Sequence, residues 1–205
     1  MNASSSSVPS RAETAAASWE LRSAQPEDAD ACAALAVGAW RRIHDAYIAI
    51  LGPDVHDRAF SGWEEAKARD VHQVVQAQPE RALVVASGDA VIGFVTFHLD
   101  AIRKIGAIGN NAIDPAWQGH GIGTAMYRAV LQRFRAAGME LARVSTGLDE
   151  GHAPARAAYE KAGFRQGLPS ITYYQELRAA TDGQEGRPVS ADADSNRREE
   201  AGRHG

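Results

Sequence analysis

The chain has a single cysteine, Cys32, so no internal disulfide can form. That suits a reducing cytoplasm, and a cytoplasmic location is the expectation. Aromatic residues are sparse, at 7%. No apolar run approaches the roughly 18 residues needed to cross a bilayer, which excludes a membrane-spanning helix as the organising feature. Strong charge of either sign is also lacking. The net charge is −4, so nothing global points to nucleic acid or a membrane surface as partner. No basic start followed by an apolar core opens the chain, so the N-terminus does not read as a secretory signal.

At 205 residues, with 44% apolar and 23% charged side chains, the chain suits one soluble globular domain. Its ends differ from its middle. Residues 1–18 are rich in Ser and Ala and are expected to be a disordered leader. Residues 179–205 are rich in Gly, Asp, Glu and Arg, with Val189 the one sizeable apolar side chain. Such a tail buries too little to offset chain entropy and is expected to be disordered. The expected domain is then 19–178.

Within it, Trp19 to Arg22 reads as a short strand. Pro26 to Val37 reads as a helix that Gly38 breaks, and Trp40 to Leu51 as a second helical piece ended by Gly52-Pro53. Phe60 to Gln78 is a third. Leu83–Ala86 and Val91–Phe97 flank Ser87-Gly88-Asp89 as a hairpin. Ile105–Ile113 is the next strand, weakened by Gly106 and Gly109. A helix follows over about 122–137, with Ile122, Met126, Val130 and Phe134 as its buried stripe and Gly138 as its stop. Leu141–Thr146 reads as a strand, Pro154–Ala162 as a short helix, and Phe164–Leu168 and Ile171–Leu177 as closing strands. The pattern is an α/β domain with a mixed sheet.

The most informative stretch is Ile113-Asp-Pro-Ala-Trp-Gln118-Gly119-His120-Gly121-Ile122-Gly123, followed by Thr124. A turn of that composition lets backbone N–H groups converge on one anionic group in front of a helix N-terminus. A dinucleotide fingerprint fits badly, because Arg143 and Val144 stand where its acidic residue belongs. A triphosphate loop fits badly too, because no lysine precedes Thr124.

The spacing Gln118-x-x-Gly121-x-Gly123, with its Ile113-x-Pro115 lead-in, resembles the pyrophosphate turn of the GNAT superfamily of N-acetyltransferases. Ala155-Arg-Ala-Ala-Tyr159-Glu-Lys-Ala-Gly-Phe164 resembles a second segment of that family, about 40 residues downstream. The resemblance runs over the order of elements from about Trp19 to Leu177. It implies a mixed, mostly antiparallel central sheet flanked by helices, with two middle strands splayed to hold acetyl-CoA, and no metal. It implies that the backbone of Gln118, Gly119, His120, Gly121, Ile122, Gly123 and Thr124 holds the pyrophosphate, and that Ile113 N–H faces the thioester carbonyl. Tyr159 aligns with the tyrosine that protonates the departing thiolate in many members.

The chain departs from the family at two places. His152 stands where Asn often bonds the pantetheine arm; imidazole can keep part of that bonding, or act as a base. No Asp or Glu lies between Asp100 and Asp114, where many relatives carry a catalytic acid. Asn110 or Asn111 could orient water or substrate, and Asp114 is expected to face away. His98, Asp100, His44 and Asp45 are the other candidate bases, beside an ordered-water relay and capture of the neutral amine fraction. Trp40, His44, Tyr47, Trp63, Tyr173 and Tyr174 are candidate acceptor contacts, one of the last two pointing inward by strand alternation.

The expected function is acetyl-CoA-dependent N-acetyl transfer to a small-molecule amine or amino-acid-like acceptor. The alternatives are a CoA-binding sensor with weak catalysis, or an O- or longer-chain acyltransferase. A homodimer is compatible with the edge strands of such a sheet.

Overall fold

The computed structural model describes residues 18–177. The expected leader and tail lie outside the described residues, Ser18 excepted. The chain divides into two compact units, residues 1–168 and 169–205. In the second, the described residues 169–177 form no helix or strand, and Ile171, Tyr173, Tyr174 and Leu177 are exposed.

The first unit is built on five strands: β1 (Glu20–Ser23), β2 (Ala82–Ser87), β3 (Ala90–Asp100), β4 (Ile105–Ile113) and β5 (Leu141–Val144). They lie in the order β1-β2-β3-β4-β5. The first three pairings are antiparallel; β4 and β5 run parallel. Helices α1 (Ala29–Leu51), α2 (Pro53–Ala59) and α3 (Trp63–Ala77) lie between β1 and β2 in sequence, α4 (Ile122–Ala136) joins β4 to β5, and α5 (Ala153–Lys161) follows β5. A parallel pair needs such a crossover, and α4 supplies it.

Two apolar clusters fasten the helices to the sheet. Cys32, Ala36, Val71 and Val75 of α1 and α3 pack on Val84, Phe94 and Ala112. Ile122, Met126, Val130 and Phe134, the stripe read from the sequence, pack with Val85, Val95, Phe97 and Ile108. Burial pushes the Cys32 thiol up to about 12, so this cysteine is an unreactive core side chain.

The glycines that weaken β4 on propensity have packing reasons. A Cβ on Gly106 would stand 2.4 Å from the Phe134 ring, and one on Gly109 would stand 2.7 Å from Thr96 Oγ1. Thr96 sits at a register shift between β3 and β4 and donates to Asn110 O at 3.2 Å. This irregularity bends β4 just before its free half.

Three expectations need correction. Gly38 does not break the first helix; α1 runs through it as one helix of 23 residues. A helical glycine costs about 1 kcal/mol, which packing on both sides of the position outweighs. The third helix begins at Trp63 rather than Phe60, because Gly62 at φ 68° starts it and a separate α2 fills Pro53–Ala59. The closing strands do not form: 164–177 contains no strand. Their β-branched and aromatic content is a propensity, and a strand also needs a paired neighbour.

Candidate active site

Pairing between β4 and β5 stops at Ile108 and Val144. Beyond it, Gly109–Ile113 continues without β5 alongside, and the two backbones part as the resemblance implies. The gap opens into a cleft of about 640 Å³, lined by Gly109, Asn111 and Ile113 on one side and Ser145 and Thr146 on the other. This volume falls in the usual range for ligand sites.

The glycine turn forms one end of the cleft. Gly119 and Gly121 have φ of 83° and 79°, and a Cβ at either would meet nothing within 4 Å. The turn is thus an open cradle whose conformation favours glycine. Gln118 Nε2 donates to Ile113 O at 3.2 Å, tying the turn to the end of β4. The His120 ring nitrogen Nδ1 lies 3.0 Å from Gln118 O and 3.3 Å from Trp117 O, so this imidazole braces the turn. Gly121 caps α4 without a side-chain hydrogen bond, which leaves the first-turn N–H groups of Ile122, Gly123 and Thr124 for an anion. Gly123 itself is a close-approach glycine: its Cβ would lie 3.2 Å from Ile113 Cδ1 and 3.6 Å from Ala158 Cβ. Asp114 accepts from Ala116 N at 2.8 Å, capping the turn at Pro115–Trp117 rather than facing the cleft.

Tyr159, on α5, is 6% exposed, and its ring packs 4.6 Å from that of Tyr127 on α4. Asn111 bridges the two hydroxyls. Its Nδ2 donates to Tyr159 Oη at 3.0 Å, and its Oδ1 accepts from Tyr127 Oη at 2.8 Å. The amide orientation is set by this network. Burial raises the Tyr159 pKa, opposed by the Asn111 and Tyr127 hydrogen bonds; burial also raises that of Tyr127. Both are held as neutral phenols. Since the Tyr159 oxygen is an acceptor here, its own hydrogen is left to donate elsewhere. Tyr127 was absent from the sequence-based candidates. Its signal was a polar-tipped aromatic beside Met126 on the buried stripe.

His152, at the start of α5, lines the cleft, and its Nδ1 lies 2.7 Å from Asp149 Oδ2. Asp149 Oδ1 is buried without a hydrogen-bond partner among the described residues. Arg156 Nη1 donates to the carbonyls of Gly147 and Asp149, each at 2.7 Å, and Arg42 Nη2 donates to Gly151 O at 3.0 Å. A Cβ on Gly147 would collide with Asp149 Oδ2 and His152 Nδ1, so a side chain there would displace this pair. The carboxylate favours the tautomer with hydrogen on Nδ1, leaving Nε2 as acceptor.

The other candidate bases fall outside the cleft. His98 and Asp100 pair with Ala107 and Ile105, at the opposite end of β4 from Ile113, and Asp100 receives Arg103 N at 2.9 Å. His44 is buried, with Nδ1 2.9 Å from His56 Nε2 and its ring stacked 3.8 Å from Trp63. Asp45 is exposed and does not line the cleft. Of the acceptor candidates, Trp40 lines the cleft while Tyr47 and Trp63 pack around His44. Tyr173 and Tyr174 are both exposed, against the alternation expected of a strand.

Residues 40–164 match the model of the acetyltransferase (GNAT) family. That is more than half of the chain, and the protein belongs to this family. It is similar to mycothiol acetyltransferase of Corynebacterium glutamicum, 29% identical over 126 residues that cover 58% of this chain and 41% of that protein. The matched region thus spans less than half the length of this curated relative. Among solved structures, it resembles the PaiA N-acetyltransferase of Thermoplasma acidophilum in complex with coenzyme A, with TM-score 0.56 and 17% identity over 72% of this chain and 90% of that one. It also resembles AAC(6')-Iy in complex with a bisubstrate analogue, CoA-S-monomethyl-acetylneamine. There the TM-score is 0.54 and the identity 13%, over 78% and 99% of the two chains. These likenesses establish the fold: a mostly antiparallel open sheet flanked by helices. Acetyl-CoA is the co-substrate that family membership brings. The glycine cradle, the uncapped start of α4 and the cleft between β4 and β5 fit it. No group of His, Cys, Asp and Glu that could hold a metal occurs among the described residues.

Proposed function

We propose that this protein moves the acetyl group of acetyl-CoA to the amine of a small-molecule or amino-acid-like acceptor, by direct attack within the cleft between β4 and β5. The observation that carries this reading is the continuity of one cavity from Gly121 past Asn111 and Tyr159 to Trp40 on α1. Phosphate-binding backbone, a neutral phenol and an aromatic wall meet in it.

The residues divide the task. Backbone N–H groups from Gly119 to Thr124 hold the pyrophosphate, with the α4 dipole behind them, while the N–H of Gln118 already donates to Pro115 O. His152 presents Nε2 to the pantetheine arm, and Ile113 N–H serves the thioester carbonyl, where a fixed donor stabilises developing negative charge. Tyr159 donates its hydrogen to the departing thiolate. Asn111 and Tyr127 are positioning residues that keep the hydrogen of Tyr159 turned away from themselves. Among the described residues neither Asp nor Glu lines the cleft, so the acceptor enters through its neutral amine fraction or loses its proton to water. On that account kcat/KM rises with pH toward the amine's own pKa.

The test is thiol release from acetyl-CoA over a panel of small amines and matched hydroxyl compounds. Turnover with amines is expected. In Tyr159→Phe, kcat falls by about 10²–10⁴ while acetyl-CoA binding changes little. Unchanged kcat in that variant would remove the acid role. Transfer to hydroxyls alone would contradict the N-acetyl reading.

A further inference from the structure

The cleft carries charge of one sign. Among the described residues, Arg42 and Lys161 line it and no Asp or Glu does. A further cation stands against the Trp40 ring, outside the residues that line the cleft. Lys67, half-buried on α3, places Nζ 4.2 Å from the centroid of the Trp40 ring and donates to Asn110 Oδ1 at 2.9 Å. Trp40 lines the cleft, and so do Gly109 and Asn111 on either side of Asn110.

Lys67 forms no ion pair among the described residues. An ammonium has three N–H donors, and one amide oxygen and one ring face leave it incompletely paired. A partly buried cation in this condition calls for an anion. Burial lowers the pKa of Lys67, with Asp70 opposing, as expected of a cation short of a counter-charge.

We propose that Lys67 anchors an anionic group of the acceptor where the acceptor extends past Trp40, so that the preferred acceptor is an amine bearing a carboxylate, of the amino-acid class, and polycationic amines are disfavoured. This inference rests on the transfer proposed above and adds the charge of the substrate. An acceptor with several ammonium groups would meet cations along these walls and no carboxylate. An α-amino acid brings its own counter-charge, and its apolar side chain suits the face of Trp40.

The test is calorimetric titration of the protein saturated with coenzyme A, using leucine, methionine and phenylalanine and the carboxamide of each. The free acids are expected to bind at least about tenfold more tightly than their amides. Lys67→Met should bring acid and amide to within about twofold, and Lys67→Arg should keep most of the preference. Coenzyme A affinity, unchanged in both variants, is the control for folding. Equal affinity for acid and amide, a preference that survives in Lys67→Met, or no binding of any acid at millimolar concentration would overturn the proposal. Thiol release measured alongside separates the two readings. Lys67-dependent binding of an acid that is never acetylated would contradict the transfer and support the anion site.

Discussion

A single amide, that of Asn111, determines how Tyr159 can act. Its carbonyl receives Tyr127 and its NH2 reaches Tyr159, at 2.8 and 3.0 Å. A carboxylate of the same shape only accepts. In Asn111→Asp both phenols would donate inward, and the hydrogen of Tyr159 would no longer face the leaving thiolate. We expect kcat to fall by about 10²-fold or more in this nearly isosteric variant, with acetyl-CoA binding little changed. Steady-state kinetics measures both, and retained kcat would show that the bridge has no role in orienting the acid. Tyr159 was legible because it sits in a contiguous motif. Asn111 was legible only as a polar residue where an acid was expected. Tyr127, Asp149 and Lys67 were not, because their roles come from contacts with β4, α5 or α1, which only the folded chain brings together.

At the level of elements, the sequence was most readable where one periodic pattern met one partner. The stripe of α4, the hairpin of β2 and β3, and the span of β4 all follow from local patterning and are found as expected. The α1 helix was misread because Gly38 is a breaker only in isolation. It is exposed and faces the cleft, so its missing side chain widens the acceptor end. The closing strands were misread because alternation cannot report a missing partner. Gly106 makes the converse point, a propensity defect that packing requires. Gly106→Ala would drive a methyl into the ring of Phe134, itself 2% exposed. Overpacking of this kind costs about 1–3 kcal/mol. Denaturant unfolding should show that loss, whereas an unchanged midpoint would mean that the ring yields freely.

Across the whole molecule, the packing of α1, α2 and α3 depends on pH through a buried histidine pair. Burial, followed by the nearby His56 and Lys67, lowers the pKa of His44 below its ordinary 6.5. The unfolded chain then binds a proton on His44 at a higher pH than the folded one does. Stability contributed by neutral His44 is complete above 6.5 and is lost as pH falls from there through the lowered folded value. The thermal midpoint should therefore drop on acidification from about pH 7 to about pH 5, and His44→Gln should flatten that slope even if it lowers the midpoint throughout. A slope identical in both proteins would assign the acid sensitivity to other groups. Charge at this scale also bears on the ligand. The chain is acidic overall at −4, while Arg42 and Lys161 line the cleft and, among the described residues, no carboxylate does. The positive field is thus local to the site where an anionic co-substrate enters.

The central claim is that the backbone from Gly119 to Thr124 grips the diphosphate of acetyl-CoA and so presents its acyl end to Tyr159. Titration calorimetry of acetyl-CoA into the native protein and into Gly121→Val tests it most directly. Valine at a φ of 79° is strained and would place its side chain in the cradle. The account predicts saturable binding to the native protein and at least about tenfold weaker binding to the variant. Absence of binding to the native protein, or equal affinity in a folded Gly121→Val, would contradict it.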